Sequence, residues 1–256
     1  MTTANDILEF METIAPMALK MPWDNAGLLC GSRNTQVTKI LIALDPFEHV
    51  CQEAADWGAE LIVTHHPLIF DPQRAIVDNN PVGRSILTLC RNGICAINAH
   101  TNLDQAEGGI NDLLAQTLGL NNIETIFAKD LQLLRKGDVQ EQSLETFMAT
   151  VKEKLHCEGL RYVDGGKPVR KVAVGGGACG GELWEAYQAG CDTFVTSDVK
   201  YNQFWDGVDF GMNIIDAGHF NTENPVCAYL LEKISAAFPN VEVKISETHA
   251  DCVKYY

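Results

Sequence analysis

Residues 61–67, LIVTHHP, constrain this chain more than any other stretch. Leu61, Ile62, Val63 and Thr64 have strand-forming character and run directly into His65 and His66, where Pro67 stops regular structure. A buried strand ending this way carries two strong metal ligands out of the core at its carboxyl end, the end where open α/β sheets bind ligands. Neighbouring side chains on a regular strand point to opposite faces, so the two histidines could not serve one ion from within it. Pro67 biases His66 to extended backbone, and the pair then fans out at the strand tip, an arrangement suited to two ions side by side. The alternative is a pair of hydrogen-bonded polar residues at a strand end.

The rest of the chain supplies the setting for such a strand. An amphipathic helix is expected over 4–20, with Ile7, Phe10, Met11 and Ile14 among its apolar positions. Buried strands are expected at 39–45 and 94–98, with helices over 47–57, 81–92 and 108–120. After a stretch at 121–141 with no clear pattern, a helix over 143–156 has Ser143 as its N-cap. Alternation then resumes, with strands at 170–175, 192–197 and 212–216, helical segments at 182–190 and 200–206, a last helix near 223–237, and a half-exposed strand at 241–247. The fold class is α/β: two lobes, 1–125 and 126–256, with mostly parallel, helix-covered sheets.

The two halves share a plan. KILIALD matches RKVAVGG, ADWGAELIVTHH matches AYQAGCDTFVTSD, and CAINAHTNLD matches MNIIDAGHFNTE. His100 therefore corresponds to His219 and Asp104 to Glu223, at the same spacing. His65 and His66 correspond to Ser197 and Asp198, so the second half keeps a polar strand tip with a different ligand set. This points to related lobes about a pseudo-twofold, with a metal site in the cleft between them. The spaced His and carboxylate are expected in turns, with helical i, i+4 spacing as the other route to one point. Taken singly, His219 or Asp104 reads as a structural residue; the spaced pairs His100/Asp104 and His219/Glu223 taken together with His65 and His66 favour metal ligation.

Composition bounds the partners. The formal charge of −15 argues against nucleic acid and anionic membrane surfaces. It leaves room for an anionic small substrate, because surface charge is screened within about 8 Å at physiological salt and metal ions supply local positive charge. No stretch approaches the roughly 18 apolar residues of a membrane span. The N-terminus lacks the pattern of a signal peptide, and the nine cysteines form no CxxC pair, so a cytoplasmic protein with reduced thiols is expected.

The segments PWDNAGLLCG, LIVTHHPLIF, INAHTNLD, VGGGACGG, TSDVKYNQ and IDAGHFNTE, in this order, resemble the GTP cyclohydrolase I type 2 homologues, also described as Nif-three-like dinuclear-metal proteins. The resemblance spans nearly the whole chain. It implies a toroidal homohexamer with two divalent ions per subunit: His65 and Asp104 on one ion, His66 and His219 on the other, and Glu223 bridging. His100 would lie close by, hydrogen-bonding a ligand or facing substrate. The chain departs from the family pattern at Ser197, where Gly is usual, and at Asn202, where His is frequent.

Mixed His and carboxylate ligation suits Zn, Fe, Mn, Co or Ni. Two such ions can activate a bridging hydroxide and clamp an oxyanion, which points to a metal-dependent hydrolase of a small nucleotide-like, phosphoester or cyclic-amide substrate, anionic or carbonyl-bearing. His100 is the candidate catalytic proton shuttle. Lys200 and Tyr201 are weaker candidates for a substrate phosphate. A non-catalytic metal carrier or scaffold is the alternative. A further alternative is an NAD-dependent oxidoreductase, since Gly175-x-Gly177-x-x-Gly180 follows a strand and has Asp198 at the end of the next. Close backbone packing accounts for those glycines more simply.

Overall fold

A computed structural model describes residues 1–128 and 130–256. The chain divides into two compact units, Met1–Ala106 with Val226–Ala250, and Glu107–Pro225 with Asp251–Tyr256. Each is built on one sheet, in line with the α/β class read from the sequence.

The first unit opens with α1 (Ala4–Ile14), followed by β1 (Gly27–Cys30), β2 (Lys39–Ala43), α2 (Glu48–Trp57), β3 (Leu61–Thr64), α3 (Pro81–Asn92), β4 (Cys95–Asn98) and the short α4 (Thr101–Gln105). Helices α2 and α3 both stop at a left-handed glycine, Gly58 and Gly93, which turns the chain back into the next strand. Every residue of β3 and β4 is buried, as expected of parallel strands covered on both faces. Leu41, Ile62 and Ala96 pack one face of the sheet against Val50, Ile86 and Leu89 from the two helices.

What positions the chemistry is register. Ile40 pairs with Leu61 and Leu61 with Cys95, so Ala43, Thr64 and Asn98 end the three parallel strands level with one another. The ladder runs on past the strand ends, with His66 N–H donating to Leu44 O at 2.9 Å and Ala99 N–H to Thr64 O at 3.1 Å. Asp45, His65 and His100 therefore leave the sheet together at the carboxyl ends of these strands.

The second unit contains α5 (Ile110–Thr117), the long hairpin β5 (Asn121–Ala128) and β6 (Leu131–Gln142), α6 (Leu144–Lys154), β7 (Arg161–Val163), β8 (Val169–Val174), α7 (Leu183–Gln188), β9 (Thr193–Thr196), α8 (Tyr201–Phe210), β10 (Asn213–Asp216) and α9 (His219–Glu223). Ser143 caps α6 as its sequence indicates, accepting from Thr146 N–H. Parallel strands β8, β9 and β10 repeat the β2–β3–β4 plan, and Ala217 N–H donates to Thr196 O at 2.9 Å where Ala99 donates to Thr64 in the first unit. The sheet order is β5-β6-β8-β9-β10-β7, and the pairs β5–β6, β6–β8 and β10–β7 are antiparallel. This sheet is thus mixed: a parallel centre flanked by the 121–142 hairpin and by β7.

The chain then returns to the first unit through α10 (Pro225–Ala237) and β11 (Glu242–Ile245), which pairs in parallel with β2 and completes the order β1-β4-β3-β2-β11. No helix among the described residues is long and apolar enough to cross a membrane. All nine cysteines are free thiols.

Candidate metal centre

In the first unit, His65 is fully buried at the tip of β3, and its Nδ1 lies 2.8 Å from Ala99 O. A carbonyl can only accept, so Nδ1 carries the hydrogen and Nε2 of the neutral ring carries the lone pair. His66 Nδ1 lies 2.7 Å from Asp45 Oδ1, and His100 Nδ1 lies 2.8 Å from Asp24 Oδ1. Burial alone would push both carboxyls up. Hydrogen bonds from His249 and His66 to Asp45, and from His100 and Thr101 to Asp24, outweigh it and hold both far below the usual carboxylate range. As carboxylates they accept only, so His66 and His100 also present Nε2 outward. This carboxylate–histidine pattern fixes tautomer and ring orientation in metal sites.

The three rings crowd together, with centroids 4.9 Å apart for His65 and His66, and 5.1 Å for His65 and His100. Each offers a nitrogen within 4.8 Å of the others. Asp104 stands on α4 with Oδ1 3.6 Å from His65 Nε2. Two atoms about 2.1 Å from a common ion, at angles of about 90 to 120°, lie roughly 3 to 3.6 Å apart. Trp23 and Phe70, both exposed, flank His100 at 6.2 and 6.1 Å between ring centroids.

In the second unit, His219 and Glu223 stand one helical turn apart on α9, with Nε2 3.0 Å from Oε2. His219 Nδ1 lies 2.6 Å from Asp198 Oδ2 at the tip of β9. Burial opposes charge on His219, but hydrogen bonds to Asp198 and Glu223 overcome it and raise the imidazole pKa to about 10. An ion bound at Nε2 would take the place of that proton. Among the described residues, donors, orientation and spacing in each unit fit divalent metal of borderline softness.

His219 and Glu223 both lie in the short helix α9, whereas in the first unit Asp104 lies in α4 and His100 is the residue that caps it. In α4 the bond from Asp104 N–H to His100 O, 3.1 Å, marks the i, i+4 relation.

The glycine-rich loop is explained by close approach. A Cβ on Gly177, whose φ is +63°, would lie 2.2 Å from Glu223 Oε1 and 3.2 Å from His219 Nε2. On Gly175 it would meet Leu134 and Cys179, and on Gly180 the side chain of Gln203. The α-helix after the loop, α7, has only six residues. Lys200 and Tyr201 are both exposed at the start of α8.

Asp24, Asp45, Asp198 and His249 were not legible as orienting residues in the sequence. Asp45 had one signal, its place directly beyond β2, level with the end of β3. His249 lies 204 residues from its partner Asp45 and had none.

These features define a class: α/β proteins whose strand tips present histidine and carboxylate groups able to bind a divalent metal. The family follows from likeness over the whole length. Residues 2–252 match the family described as Duf34/NIF3 (NGG1p interacting factor 3), and the chain belongs to it. It is 36% identical to a GTP cyclohydrolase 1 type 2 homolog of Clostridium perfringens, covering 96% of this chain and 97% of that one. A second protein of that name, from Clostridium acetobutylicum, is 31% identical over 98% of this chain and 97% of its own. The Bacillus cereus protein related to NIF3 superposes with a TM-score of 0.92 at 26% identity, covering 100% of this chain and 99% of that structure.

Proposed function

We propose that the chain is a dinuclear-metal-dependent hydrolase of small anionic or carbonyl-bearing molecules, nucleotide-like, phosphoester or cyclic amide, working as a cytoplasmic homohexamer. His65 and Asp104 would hold one divalent ion and His66 and His219 the other, with Glu223 the ligand shared between them. The observation that carries this reading is the orientation of His65, His66 and His219, each tied through Nδ1 to an acceptor so that Nε2 is offered to an ion.

Bound there, paired divalent ions supply Lewis acidity toward a carbonyl or phosphoryl oxygen and a nucleophilic water at neutral pH. The protein's own groups do the rest. Two carboxylates against two dications leave net positive charge for an anionic substrate. His100, held by Asp24, is the group to move a proton to or from a leaving atom. Exposed Trp23 and Phe70 beside it offer apolar surface to a substrate ring. Self-association is supported by the exposed stripe Tyr201, Trp205 and Val208 on α8, at the spacing of one helix face.

Metal-loaded protein screened against nucleotides, phosphoesters and cyclic amides tests the reading. Turnover that disappears in Glu223→Ala together with dinuclear loading supports it. Metal release without any turnover favours the carrier or scaffold reading instead.

A further inference from the structure

Behind His66 the acceptor Asp45 is itself held by a second ring. His249 Nε2 lies 3.0 Å from Asp45 Oδ2, while Asp45 Oδ1 receives His66 Nδ1 at 2.7 Å. One carboxylate therefore accepts from two imidazoles, one on each oxygen. The His249 side chain is 5% exposed and packs edge-on against Phe47, with ring centroids 5.7 Å apart.

A separate anchor delivers that ring. Glu53 on α2 accepts from Ser246 Oγ at 2.5 Å, Glu247 N–H at 3.0 Å, and Thr248 N–H and Oγ1 at 3.2 and 2.8 Å. The next residue is tied into the same turn, His249 N–H donating to Ser246 Oγ at 3.1 Å. Glu53 thus gathers the turn after β11, the turn seats His249, His249 fixes one oxygen of Asp45, and Asp45 aims His66. Four hydrogen-bonded links separate the Glu53 carboxylate on α2 from a candidate metal ligand.

We infer that His249 is a positioning residue for the metal site, acting through Asp45 to fix the orientation of His66. The inference rests on the metal reading of the preceding subsection. A carboxylate bonded on one oxygen only can rotate about χ2, and its histidine partner then samples several ring angles. Bonded on both, it cannot. Partners that orient a ligating histidine are worth about 10- to 100-fold in metal affinity. His249 stands one bond further out, so a loss of about tenfold is expected.

The experiment compares the full chain with His249→Gln and His249→Asn. Glutamine can place an amide N–H near the position of Nε2, whereas asparagine is too short to reach Asp45. Co²⁺ is the probe: its visible absorption reports ligand geometry, and competition with a chromophoric chelator gives affinity. Thermal melts of the metal-free proteins show that both variants fold. Expected is a near wild-type spectrum and affinity for His249→Gln, with about tenfold weaker binding and an altered band for His249→Asn. The inference is overturned if His249→Asn keeps both, or if His249→Gln is as impaired as His249→Asn, since the ring would then matter only for packing. Glu53→Gln provides a second entry to the same chain of contacts and should weaken Co²⁺ binding less than His249→Asn. A stronger effect would overturn the proposed order of links. If the wild-type protein gives no Co²⁺ band, the metal reading itself falls, and this inference with it.

Discussion

His65 Nε2 stands 3.6 Å from Asp104 Oδ1, too far for a good hydrogen bond and well placed for two ligands of one ion. The pair joins the tip of β3 to the helix that follows β4. Asp104→Asn keeps the shape and removes the anion. It should lower metal content from two ions toward one per chain, with the metal-free melting temperature shifted by only a few degrees. Elemental analysis after dialysis against a weak chelator checks it.

His219 makes the second unit sensitive to pH. In the metal-free protein its folded pKa is raised from an ordinary 6.5 to about 10. A raised folded value contributes stability that is fully present below about 6.5 and is lost as pH rises toward 10. Metal-free stability from this group should therefore decline across that window. Metal uptake there should release a proton at neutral pH. A histidine NMR titration of the metal-free protein should show one ring still charged at pH 8, and Asp198→Asn should bring it down.

The turn after β11 should be acid-sensitive. Burial alone would raise the Glu53 carboxyl, but hydrogen bonds from Ser246, Glu247 and Thr248 lower it to about 2. A depressed folded value gives stability present above an ordinary 4.5 and lost as pH falls toward 2. Urea denaturation of Glu53→Gln against pH should show a flatter acid limb between those values than the wild type.

Two glycines with positive φ should respond differently to alanine. At Gly190, φ +78°, a Cβ meets nothing within 4 Å, so Gly190→Ala costs only the left-handed backbone penalty, about 1 kcal/mol. At Gly177 the Cβ also drives into Glu223. Gly177→Ala should cost about 1 to 3 kcal/mol and weaken metal binding, whereas Gly190→Ala leaves metal binding intact. Chemical denaturation and metal titration of the pair separate strain from displacement of the ligand.

Much of this was legible in the sequence because it is carried by local pattern. The apolar run 61–64 has to be a buried strand, so His65 and His66 have to sit at its tip. The matched segments CAINAHTNLD and MNIIDAGHFNTE follow equivalent strands, and Ala99 and Ala217 make the same bond to the preceding strand, but His100 comes one residue after that bond and His219 two, so the backbone sets His100 level with Gly218. The hairpin at 121–142 was not legible, because its exposed and half-buried residues follow no clean alternation along β5. Strand β11 was readable as a strand, but nothing in VEVKISE says that it pairs with β2. The orienting carboxylates were missed for a similar reason. Asp45 lies 21 residues from His66 and Asp24 lies 76 from His100, so only register and loop closure bring each pair together.

On the proposed reading, five side chains grip a pair of ions. Crystals of the protein soaked in Mn²⁺ or Zn²⁺, with data collected at the metal absorption edge, test it most directly. Two anomalous peaks per chain are expected about 3.5 to 4 Å apart, within bonding distance of His65, His66, Asp104, His219 and Glu223. Peaks elsewhere on the surface, or none at these residues with the metal in excess, would contradict it.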